Sequence, residues 1–590
     1  MTGAELIAGF IASKCFKNVF LVTGGACAFI VDAIGRNKTL EFTCFQHEQA
    51  AAMAADAIWR TRKQVGVTVS TSGPGATNLI TGIACSWFDS IPSIHITGQV
   101  NTNESKSFIG ADVRQAGFQE TDIVDIVSSI TKWSKKITSV EDLVDSLPKA
   151  LYEATSGRMG PVLLDVPMDI QKSQVSQEQY ARALSQNKVL EKSETVGVDL
   201  ITEFFEGSQR PLVLLGAGLG LSGSFEIAQK WCEENRLPYV TSWGALTYLR
   251  EASEQYQGSI GVYGSRHANS TIQSADKVLV LGSRLDNRQR TGNPFGFAPF
   301  ASILAIDIDG EELKKYSILK NYQILNMDLR DLKNLLKNLD SQPLFQVWQD
   351  LLSVNRSKTE DGFKLASQGD ELNPYEAMIH IREKFEDAPI VVSDCGANLC
   401  WVYQTWIPSG ATLFTAGGNS PMGYSLPAAI GAQLANPDKT VYCFIGDGGF
   451  QMNIQELQTI VNYRLPIKIV IQNNFGYGII KQFQDAYFEG RHFATGVGYS
   501  QPNFGNIAEA FGIKYKAVKT LKEIDSLAIS SDAMIIDMHL PPSSLISPKT
   551  EMDRFIHDQF PYIEDGLIGR LPFNYPDRPS KLRILNNPTV

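Results

Sequence analysis

Two apolar runs, each followed by a polar turn, constrain the fold of this 590-residue chain most strongly. The runs occupy 441–445 and 467–471, and residues 453–463 between them carry apolar side chains at helical spacing, which predicts a strand, a helix and a second strand. Such a unit places the carboxyl ends of both strands at the same edge of a parallel sheet. Asp447 follows the first run and Asn474 follows the second. We therefore expect these two side chains to meet at that edge.

The residues around Asp447 have the chemistry of a site for Mg²⁺ bound to a diphosphate. One carboxylate and one amide oxygen supply few protein ligands, and Mg²⁺ completes its shell with phosphate and water oxygens. Gly446, Gly448 and Gly449 leave backbone N–H groups free to face phosphate oxygens. Asp-Gly and Asn-Asn pairs are also ordinary turn residues, and either alone is more often structural. Their joint position at the ends of two neighbouring strands favours a cofactor site.

Charge, length and cysteine usage narrow the class of protein. A chain of this length needs three or four domains. The net charge of −10 argues against nucleic acid and anionic membranes as partners, and no apolar run is long enough for a membrane span. The first residues lack a basic start and a cleavage site, so we expect no secretory signal. Eight scattered cysteines are typical of reduced thiols in a cytoplasmic protein.

Short apolar runs alternate with helical patterns along the whole chain, which predicts an α/β protein with three doubly wound parallel-sheet domains. Two polar stretches divide it, and the first and last thirds look related in plan, each with a strand, a glycine loop, a helix and a strand. The predicted organisation is a first domain at 1–170, a linker at 171–197, a central domain at 198–354, a second linker at 355–373, a last domain at 374–545, and a tail or lid at 546–590.

Longer motifs resemble those of thiamine-diphosphate enzymes, and in their closest form those of the acetolactate (acetohydroxyacid) synthase group. The resemblance covers most of the chain and weakens only in the tail. It is carried by Gly446-Asp447-Gly448 followed by Asn473-Asn474, and by the segments 71–79, 89–92, 96–99, 118–121 and 422–432. It implies a pyrimidine-binding first domain, a central domain of the FAD-binding type and a diphosphate-binding last domain. It also implies a carboligase that decarboxylates pyruvate and transfers the two-carbon unit to a carbonyl acceptor.

Glu48 is the residue whose interpretation depends most on the resemblance. By itself, an acid in the first turn of a helix is explained by the helix dipole. The resemblance implies instead that Glu48 hydrogen-bonds the aminopyrimidine ring of thiamine diphosphate and activates the cofactor. It makes Gly25, in the glycine turn before it, a further catalytic candidate, and it implies that Gln119 lines the substrate pocket. It further implies an apolar wedge under the cofactor and a set of diphosphate and Mg²⁺ contacts: Met422 as the wedge; Gly396, Ala397, Asn398, Gly446, Gly448, Gly449, Tyr477 and Gly478 at the diphosphate; Asp447, Asn474 and the backbone carbonyl of Gly476 at the metal.

The central third carries a separate signal for a dinucleotide. A strand runs into Gly216-Ala217-Gly218, which alone is weak evidence for a phosphate-binding turn. The resemblance implies an FAD with a structural, non-redox role, and the alternative is a domain that kept the fold and lost the flavin. The remaining positions implied for the flavin are Arg158, Arg284, Asp286, Arg288, Asp307 and Asp309.

Departures from the family pattern concern the acceptor. Phe483 stands where the family has Trp, Ile479 where it has Met, and Met168 where it has Lys. Arg288 remains, and in the family it can bind the carboxylate of the acceptor. The alternatives left open are acetyl transfer from pyruvate to a keto sugar nucleotide in surface-polysaccharide synthesis, a flavin-dependent pyruvate oxidase, an acyl-CoA lyase, and a non-catalytic protein.

The resemblance also implies partners. Pyruvate and a second keto compound are the expected substrates. Because the family's cofactor lies between the first third of one subunit and the last third of another, we expect a homo-oligomer, at least a dimer. A small regulatory subunit is a further possible partner.

Overall fold

Three six-stranded parallel sheets form the framework of the chain. In this computed structural model the described residues are 1–185, 199–359 and 371–561, apart from positions 111, 320, 338, 340, 341, 386, 387, 407, 409 and 553. Each sheet belongs to one predicted domain and has helices on both faces. The predicted α/β class with three parallel sheets is confirmed.

The first domain has the strand order β2-β1-β3-β4-β6-β5. Its strands are β1 (Asn18–Leu21), β2 (Glu41–Cys44), β3 (Gly66–Ser70), β4 (Ser93–Gln99), β5 (Trp133–Lys136) and β6 (Val162–Pro167). Its helices are α1 (Gly3–Lys14), α2 (Ala28–Arg36), α3 (Glu48–Arg62), α4 (Pro74–Asn78), α5 (Ile80–Asp89), α6 (Lys106–Ile109), α7 (Ile123–Val127), α8 (Val140–Thr155), α9 (Met168–Lys172) and α10 (Gln177–Ser185).

The central domain has the order β12-β11-β10-β7-β8-β9, in which the chain reverses its winding between β7 and β10. Its strands are β7 (Pro211–Leu215), β8 (Tyr239–Thr241), β9 (Tyr256–Ser259), β10 (Lys277–Leu281), β11 (Ser302–Asp307) and β12 (Tyr322–Asn326). Its helices are α11 (Leu200–Phe205), α12 (Ala217–Ser222), α13 (Phe225–Glu234), α14 (Arg266–Ser274), α15 (Asn287–Arg290), α16 (Gly310–Lys314) and α17 (Gln342–Thr359). This is the doubly wound order that binds dinucleotides at the reversal point.

The last domain has the order β14-β13-β15-β16-β18-β17, and a short antiparallel pair, β19 and β20, follows it. Its strands are β13 (Ile390–Ser393), β14 (Thr412–Phe414), β15 (Val441–Gly446), β16 (Lys468–Asn473), β17 (Lys514–Val518) and β18 (Met534–His539), with β19 (Lys549–Thr550) and β20 (Gln559–Phe560) beyond. Its helices are α18 (Pro374–Arg382), α19 (Ala397–Gln404), α20 (Ser425–Ala435), α21 (Asp447–Met452), α22 (Leu457–Asn462), α23 (Gly478–Tyr487), α24 (Phe504–Phe511) and α25 (Leu521–Asp525).

The strand–helix–strand prediction at β15 and β16 is confirmed in plan and wrong in detail. The strands are parallel neighbours, and Gly446 is the register partner of Gln472, so the residues that follow both strands meet at one edge. The connection is not one helix over 453–463: α21 begins at Asp447 itself and the helix breaks at Asn453. The break occurs where the Asn453 amide donates to the backbone carbonyl of Gly423, 2.8 Å away.

Both predicted linkers are partly ordered and belong to neighbouring domains. Within 171–197, helix α10 packs on the first domain, where Ala183 is fully buried. Positions 186–197 lie outside the described residues. Within 355–373, helix α17 continues to Thr359, Leu372 is buried in the core, and the span 360–370 lies outside the described residues. Apolar side chains spaced among polar ones anchor these segments, a pattern that the polar composition obscured.

The described part of the predicted tail is a packing arm. We call residues 545–561 the C-terminal arm. It contains β19 and β20, and it joins the last domain to the central one: Trp401 donates to the carbonyl of Leu545, and Asn269 donates to the carbonyl of Ile556. Ile556 is fully buried in the central core. Residues 562–590 lie outside the described part.

The first and last domains pack through α3 and α20, around a buried ion pair. The Arg60 guanidinium lies 2.6 Å from the Asp56 carboxylate and 2.8 Å from that of Asp89. Tyr424 of the last domain donates to Asp56 over 2.5 Å. Although burial opposes the charge, the neighbouring acids raise the pKa of Arg60 well above its ordinary value. A satisfied buried network of this kind fixes how the two domains meet.

Within the part of the chain that the structure describes, we find no helix that combines the length and apolarity needed to cross a membrane.

Candidate active site

Glu48 is the first residue of α3 and is 8% exposed. The preceding residue His47 caps the helix through Nδ1, which accepts from the backbone N–H of Gln49. The amide of Asn78 donates to Glu48 Oε2 over 3.0 Å. A side chain at Gly75 would approach Glu48 Oε1 to 3.1 Å, so the glycine loop after β3 lies directly against this carboxyl group. The sequence therefore builds a buried, half-satisfied carboxyl group at the edge of the first sheet.

Gln119 reaches the same loop from the other side. Its backbone has φ of +62°, and a Cβ on Gly73 would lie 2.9 Å from the Gln119 Cβ. The turn that contains Gly25 joins this group, since the backbone N–H of Ala26 donates to the Thr71 hydroxyl. Gly25 itself has open space where a side chain would be. The structure thus brings the three predicted residues of the pyrimidine side around one loop, 71–78.

Asp447 lies at the edge of the third sheet and is 2% exposed. Its Oδ2 atom accepts from the backbone N–H of Gly476 over 2.9 Å and from the Tyr499 hydroxyl over 2.7 Å. Burial raises the pKa of Asp447 to about 6, although these hydrogen bonds lower it. A buried carboxyl group of this kind is stabilised in its charged form by a divalent cation.

Asn474 follows the neighbouring strand β16 at the same edge as Asp447, and its amide is unsatisfied among the described residues. Among the described residues its Nδ2 atom has no hydrogen-bond partner, although Asn474 is 3% exposed. Turning the amide by 180° presents the oxygen at the same place. A Cβ on Gly478 would lie only 2.3 Å from that nitrogen, so glycine is required there. The carbonyl of Gly476 accepts from the N–H of Gly478 and has one further lone pair for a metal.

The other predicted diphosphate positions surround this pair. A Cβ on Gly448 would lie 2.3 Å from the Tyr477 ring and 3.2 Å from the Met422 methyl group, so the wedge and the ring both cover this turn. Gly396 has φ of +81°, and a Cβ there would lie 3.8 Å from Ile479. The remaining positions Ala397, Gly446 and Gly449 lie at the first turn of α19, at the end of β15 and in α21.

The side-chain amide of Asn398, another predicted diphosphate position, is engaged with protein groups. Its oxygen accepts from the Ser393 hydroxyl and from the backbone N–H of Asp394, and its nitrogen donates to Gln472. All three partners are protein groups at the strand ends. The Asn398 side chain therefore ties β13 to β16.

Asp394 was missed by the sequence analysis. It is buried, and its carboxylate accepts from the backbone N–H groups of Cys395, Gly423 and Ser425 at 2.9–3.0 Å. Asp394 also accounts for the glycine at position 449, because a Cβ there would lie 2.9 Å from Asp394 Oδ1. Asp394 thus holds three loops of the diphosphate edge together. Its position directly after a predicted buried strand was the available signal.

Glu456 was also missed. It belongs to the last domain and is fully buried, and it accepts from the Thr459 hydroxyl at 2.7 Å and from the backbone N–H of Gln46 at 3.2 Å. Burial raises the pKa of Glu456 to about 7. Because Gln46 is two residues before Glu48, this contact fixes the segment that carries the catalytic candidate. Nothing local in the sequence signals a partner 410 residues away.

A cavity of about 650 Å³ lies between the three domains. It opens at the turns after β7 and β10, the reversal point of the central sheet. Its lining includes seven of the predicted flavin positions, and reaches the last domain at Gly396 and Ile479: Arg158, Ala217, Gly218, Arg284, Asp286, Arg288 and Asp307. Its volume is that of a site for a small organic ligand or cofactor.

The polar residues of this cavity have mixed roles. Arg158, from the first domain, pairs with Asp309 at 2.7 Å and with Glu312 at 2.9 Å. Asp286 and Asp309 each cap a short helix, α15 and α16. Gly216 is required by packing, since its Cβ would lie 2.1 Å from the carbonyl of Gly282.

These residues fit both implied cofactors. At the third sheet, a buried carboxylate, an unsatisfied amide and turns without space for side chains match Mg²⁺ and a diphosphate. At the central cavity, a dinucleotide fits the reversal point and the arginines. Among the described residues no group of three or more His, Cys, Asp or Glu side chains could hold a metal, so a site with one carboxylate suits a cation that phosphate helps to bind.

The departures from the family pattern lie near α23 and α9. The Phe483 ring packs on Tyr487 and Phe488, with centroids at 4.6 and 5.7 Å. Ile479 lines the cavity. Met168 begins α9 and is half-buried. Of the three, only Ile479 lines the cavity.

Comparison with known proteins identifies three family domains. The N-terminal TPP binding domain of thiamine pyrophosphate enzymes matches residues 1–126. The central domain of thiamine pyrophosphate enzymes matches 198–331, and their C-terminal TPP binding domain matches 394–535. The matches follow the order of the three sheets.

Whole-chain similarity narrows the family. The acetolactate synthase large subunit of Lactococcus lactis subsp. lactis (strain IL1403) is 34% identical over 554 residues, covering 93% of this chain and 94% of the relative. The acetolactate synthase isozyme 2 large subunit of Escherichia coli (strain K12) is 33% identical over 528 residues, covering 89% and 92%. The probable acetolactate synthase large subunit of Methanocaldococcus jannaschii is 32% identical over 568 residues, covering 92% and 93%. The chain therefore belongs to the acetolactate synthase large-subunit family and is a thiamine-diphosphate-dependent carboligase of the acetolactate synthase type.

Proposed function

We propose that this carboligase decarboxylates pyruvate and transfers the remaining two-carbon unit to a carbonyl acceptor. One observation carries the proposal: two sheets of the same strand order present complementary groups, the buried carboxyl of Glu48 on one and Asp447 with Asn474 on the other. Thiamine diphosphate, when bound, supplies the nucleophile for the keto carbon and the sink for the electrons released with CO₂. The chain's own residues hold the cofactor and manage its protons.

Glu48 is proposed to hold the proton at the pyrimidine side of the cofactor. Glu48 is buried, and among the described residues its side chain accepts a hydrogen bond from Asn78 alone, which leaves one carboxyl oxygen for a ligand. A carboxyl group that can exchange a proton in a dry site contributes a large factor to proton transfer. Gln119 and the Gly25 turn lie around the same loop, and we assign them to the wall of the substrate pocket.

Asp447, Asn474 and the carbonyl of Gly476 are proposed to bind Mg²⁺, and the turns at Gly396 and Gly448 to face the diphosphate. Met422 is proposed to support the cofactor from below. Asp394 keeps these loops in register, because its carboxylate bonds three of their N–H groups.

We propose that the cofactor is shared between two copies of the chain. The hydrogen bonds of Glu48 and Asp447 run within their own domains, which leaves each half of the site able to face a second copy. Large apolar side chains near both halves are exposed, as expected of an oligomer interface: Phe108, Ile109, Phe118, Phe488, Phe493 and Val497. A regulatory subunit would be an additional partner of such an oligomer.

FAD is proposed for the central cavity, in a structural role. The support is the reversal point of the sheet, the cavity volume and the arginines at its wall. We also propose a cytoplasmic location, since all eight cysteines are free thiols and six of them are buried.

The acceptor is proposed to be a second keto acid, and a keto sugar nucleotide is the second candidate. Ile479 is smaller in reach than the methionine of the family pattern and lines the cavity, which leaves room for a larger acceptor.

Product analysis tests the function. Purified protein is incubated with thiamine diphosphate, Mg²⁺ and labelled pyruvate, alone, with 2-ketobutyrate, or with a keto sugar nucleotide. We expect labelled CO₂ in each case and a product two carbons larger than its acceptor. Electron transfer from pyruvate to oxygen or quinone without such a product would contradict the proposal.

A further inference from the structure

The edge strand β12 of the central sheet has an open outer side. It pairs with β11 alone, and the N–H of Ile303 in β11 donates to the carbonyl of Asn321 over 2.9 Å. Both backbone groups of a residue point to the same side of a strand, and that side alternates along the strand. The odd-numbered positions 321–327 therefore face β11. The outer side presents the backbone groups of three residues: Tyr322, Ile324 and Asn326.

These outward groups are exposed to solvent. Within the described parts of the chain their N–H and carbonyl groups have no hydrogen-bond partner, because β12 is the last strand of its sheet. Tyr322 is 40% exposed and Ile324 is 46% exposed, and their side chains share one face of the strand. Ile318, just before the strand, is also exposed. The edge is thus an apolar surface with free backbone groups.

Three other edge strands carry charges or a cap. The edge strand β5 of the first sheet contains Lys135, and the edge strand β17 of the last sheet contains Lys514 and Lys516. In β2, the N–H of Cys44 donates to the Tyr463 hydroxyl over 2.8 Å. Lysines and occupied backbone groups prevent such edges from pairing with another chain.

The two remaining edge strands are covered by other segments. Arg356 of α17 donates to the carbonyl of Tyr256 in β9. The strand β14 is buried, and Arg250 donates to the carbonyl of Ala411 just before it, over 3.2 Å.

The strand β12 differs from these five edges. Its residues Tyr322–Asn326 include no charged residue and no proline, and its register with β11 has no bulge. Proteins normally protect an edge strand by one of these devices, so a regular, uncharged and exposed edge indicates a site where another strand adds to the sheet.

We propose that β12 pairs in antiparallel fashion with β12 of a second copy of the chain, across a twofold axis at Ile324. In this register Ile324 faces its own counterpart, and Tyr322 faces the partner's Asn326. Each outward N–H group then donates to a carbonyl of the other copy. All five cross-strand pairs are uncharged, so no like charges oppose each other. The strand also offers no charge that would select a different protein, which favours the second copy as its partner.

This interface goes beyond the proposed function. It lies in the central domain, whereas the cofactor is proposed to be shared between the first and last domains of two copies. Pairing at β12 therefore joins two such cofactor-sharing pairs into a larger assembly with a continuous central sheet.

Three variants test the pairing: Ile324→Lys, Ile324→Pro, and the control Ile227→Lys, which changes an exposed isoleucine of α13 in the same domain. Ile324→Lys places two like charges on the twofold axis. Ile324→Pro removes the outward donor and leaves the hydrogen bonds to β11 in place, because that N–H group faces away from β11.

Analytical ultracentrifugation measures the mass of the protein loaded with thiamine diphosphate, Mg²⁺ and FAD over a range of concentrations. We expect both Ile324 variants to raise the dissociation constant of the larger assembly about 100-fold or more, so that its mass falls by half. Ile227→Lys should keep the wild-type mass. CO₂ release per chain should stay within about twofold in all three variants. An unchanged mass in Ile324→Lys would overturn the proposal, and circular dichroism identifies any variant that fails to fold.

Hydrogen exchange locates the interface directly. In the assembled wild type, we expect the outward amides of β12 to exchange at least about tenfold more slowly than after dilution to the smaller species. Rapid exchange in the assembled protein would leave the edge open to a strand of another protein and overturn pairing with a second copy. Protection that survives dilution would assign the edge to residues 562–590 of the same chain, with the same consequence. Absence of CO₂ release by the wild type would refute the proposed function and leave these mass and exchange results to decide the interface.

Discussion

The first and last domains have the same strand order and different chemistry. In each, the second strand in sequence is at one edge of the sheet, followed by the first, third, fourth, sixth and fifth. The loop after β3 holds glycines against the carboxyl group of Glu48, whereas the loop after β15 carries Asp447 between glycines. One framework therefore presents the buried carboxyl group of Glu48 at one edge and the proposed metal–diphosphate site at the other. The comparison teaches that the sheet supplies positions, and the residues after its strands decide the function.

The central domain has another order and another task. Its strands have the order of dinucleotide-binding folds, and residues of both other domains help to line its cavity. It joins the other two domains at one cavity, with Arg158 from the first domain and Gly396 from the last.

Glu48→Gln should give the largest effect, and it tests whether the edge of the first sheet activates the cofactor. We expect CO₂ release from pyruvate to fall by about 10³, because an amide cannot exchange the proton. The fold should persist, since the amide oxygen can still accept from Asn78. Single-turnover CO₂ release at saturating cofactor measures this, with Glu41→Gln on the exposed surface of β2 as the control. A wild-type rate in Glu48→Gln would show that the assignment is wrong.

Asp447→Asn tests the opposite edge. We expect affinity for thiamine diphosphate in the presence of Mg²⁺ to fall about 100-fold, or about 3 kcal/mol, because a neutral amide does not balance a dication. Calorimetry at several Mg²⁺ concentrations measures it, and Asp438→Asn removes an exposed carboxylate as the control. If Glu48→Gln and Asp447→Asn changed affinity equally, the division of labour between the two edges would be refuted.

Glu456→Gln tests the contact between the first and last domains through the pH dependence of stability. The folded-state pKa of about 7 lies above the ordinary 4.5, so folding favours the protonated form. This contribution to stability is complete below about pH 4.5 and is lost as pH rises through about 7. Between pH 5 and 8, the free energy of unfolding of the wild type should therefore fall by about 2 kcal/mol relative to that of the variant.

Urea unfolding at pH 5, 6, 7 and 8 measures this difference, with the exposed Glu509→Gln as the control. Parallel pH profiles for Glu456→Gln and the wild type would show that the buried carboxyl does not titrate in this range.

Gly478→Ala tests the metal edge, with Gly35→Ala on the exposed face of α2 as the control. A methyl group at 478 would lie 2.3 Å from the Asn474 amide and displace it, whereas one at 35 would meet only the Phe42 ring, at an ordinary contact distance of 3.8 Å. We expect about a tenfold loss of Mg²⁺-dependent cofactor affinity, near 1.4 kcal/mol, for the first and no change for the second. Equal affinities in the two variants would remove Asn474 from the metal site.

Local patterns predicted the sheets well. The apolar runs at 441–445 and 467–471 lie within β15 and β16, or begin one residue before them, because a strand buried on both faces needs a continuous apolar run. The helix between them was predicted at 453–463 and instead begins at Asp447. Asn453 breaks it for a tertiary reason, its bond to Gly423, which helical spacing cannot reveal.

The sequence by itself determined three parallel sheets and the polar groups at their carboxyl edges, since these depend on periodicity and on residue type, whereas the role proposed for Glu48 came from the resemblance to a family. Only the tertiary structure decided which distant groups meet. Glu456 accepts from the backbone N–H of Gln46, two residues before Glu48, and the C-terminal arm donates from the Thr550 N–H to the carbonyl of Val262 in the central domain. Hydrogen bonds and charges act over a few ångströms in space, whatever the separation along the chain, so such contacts leave no pattern in the sequence.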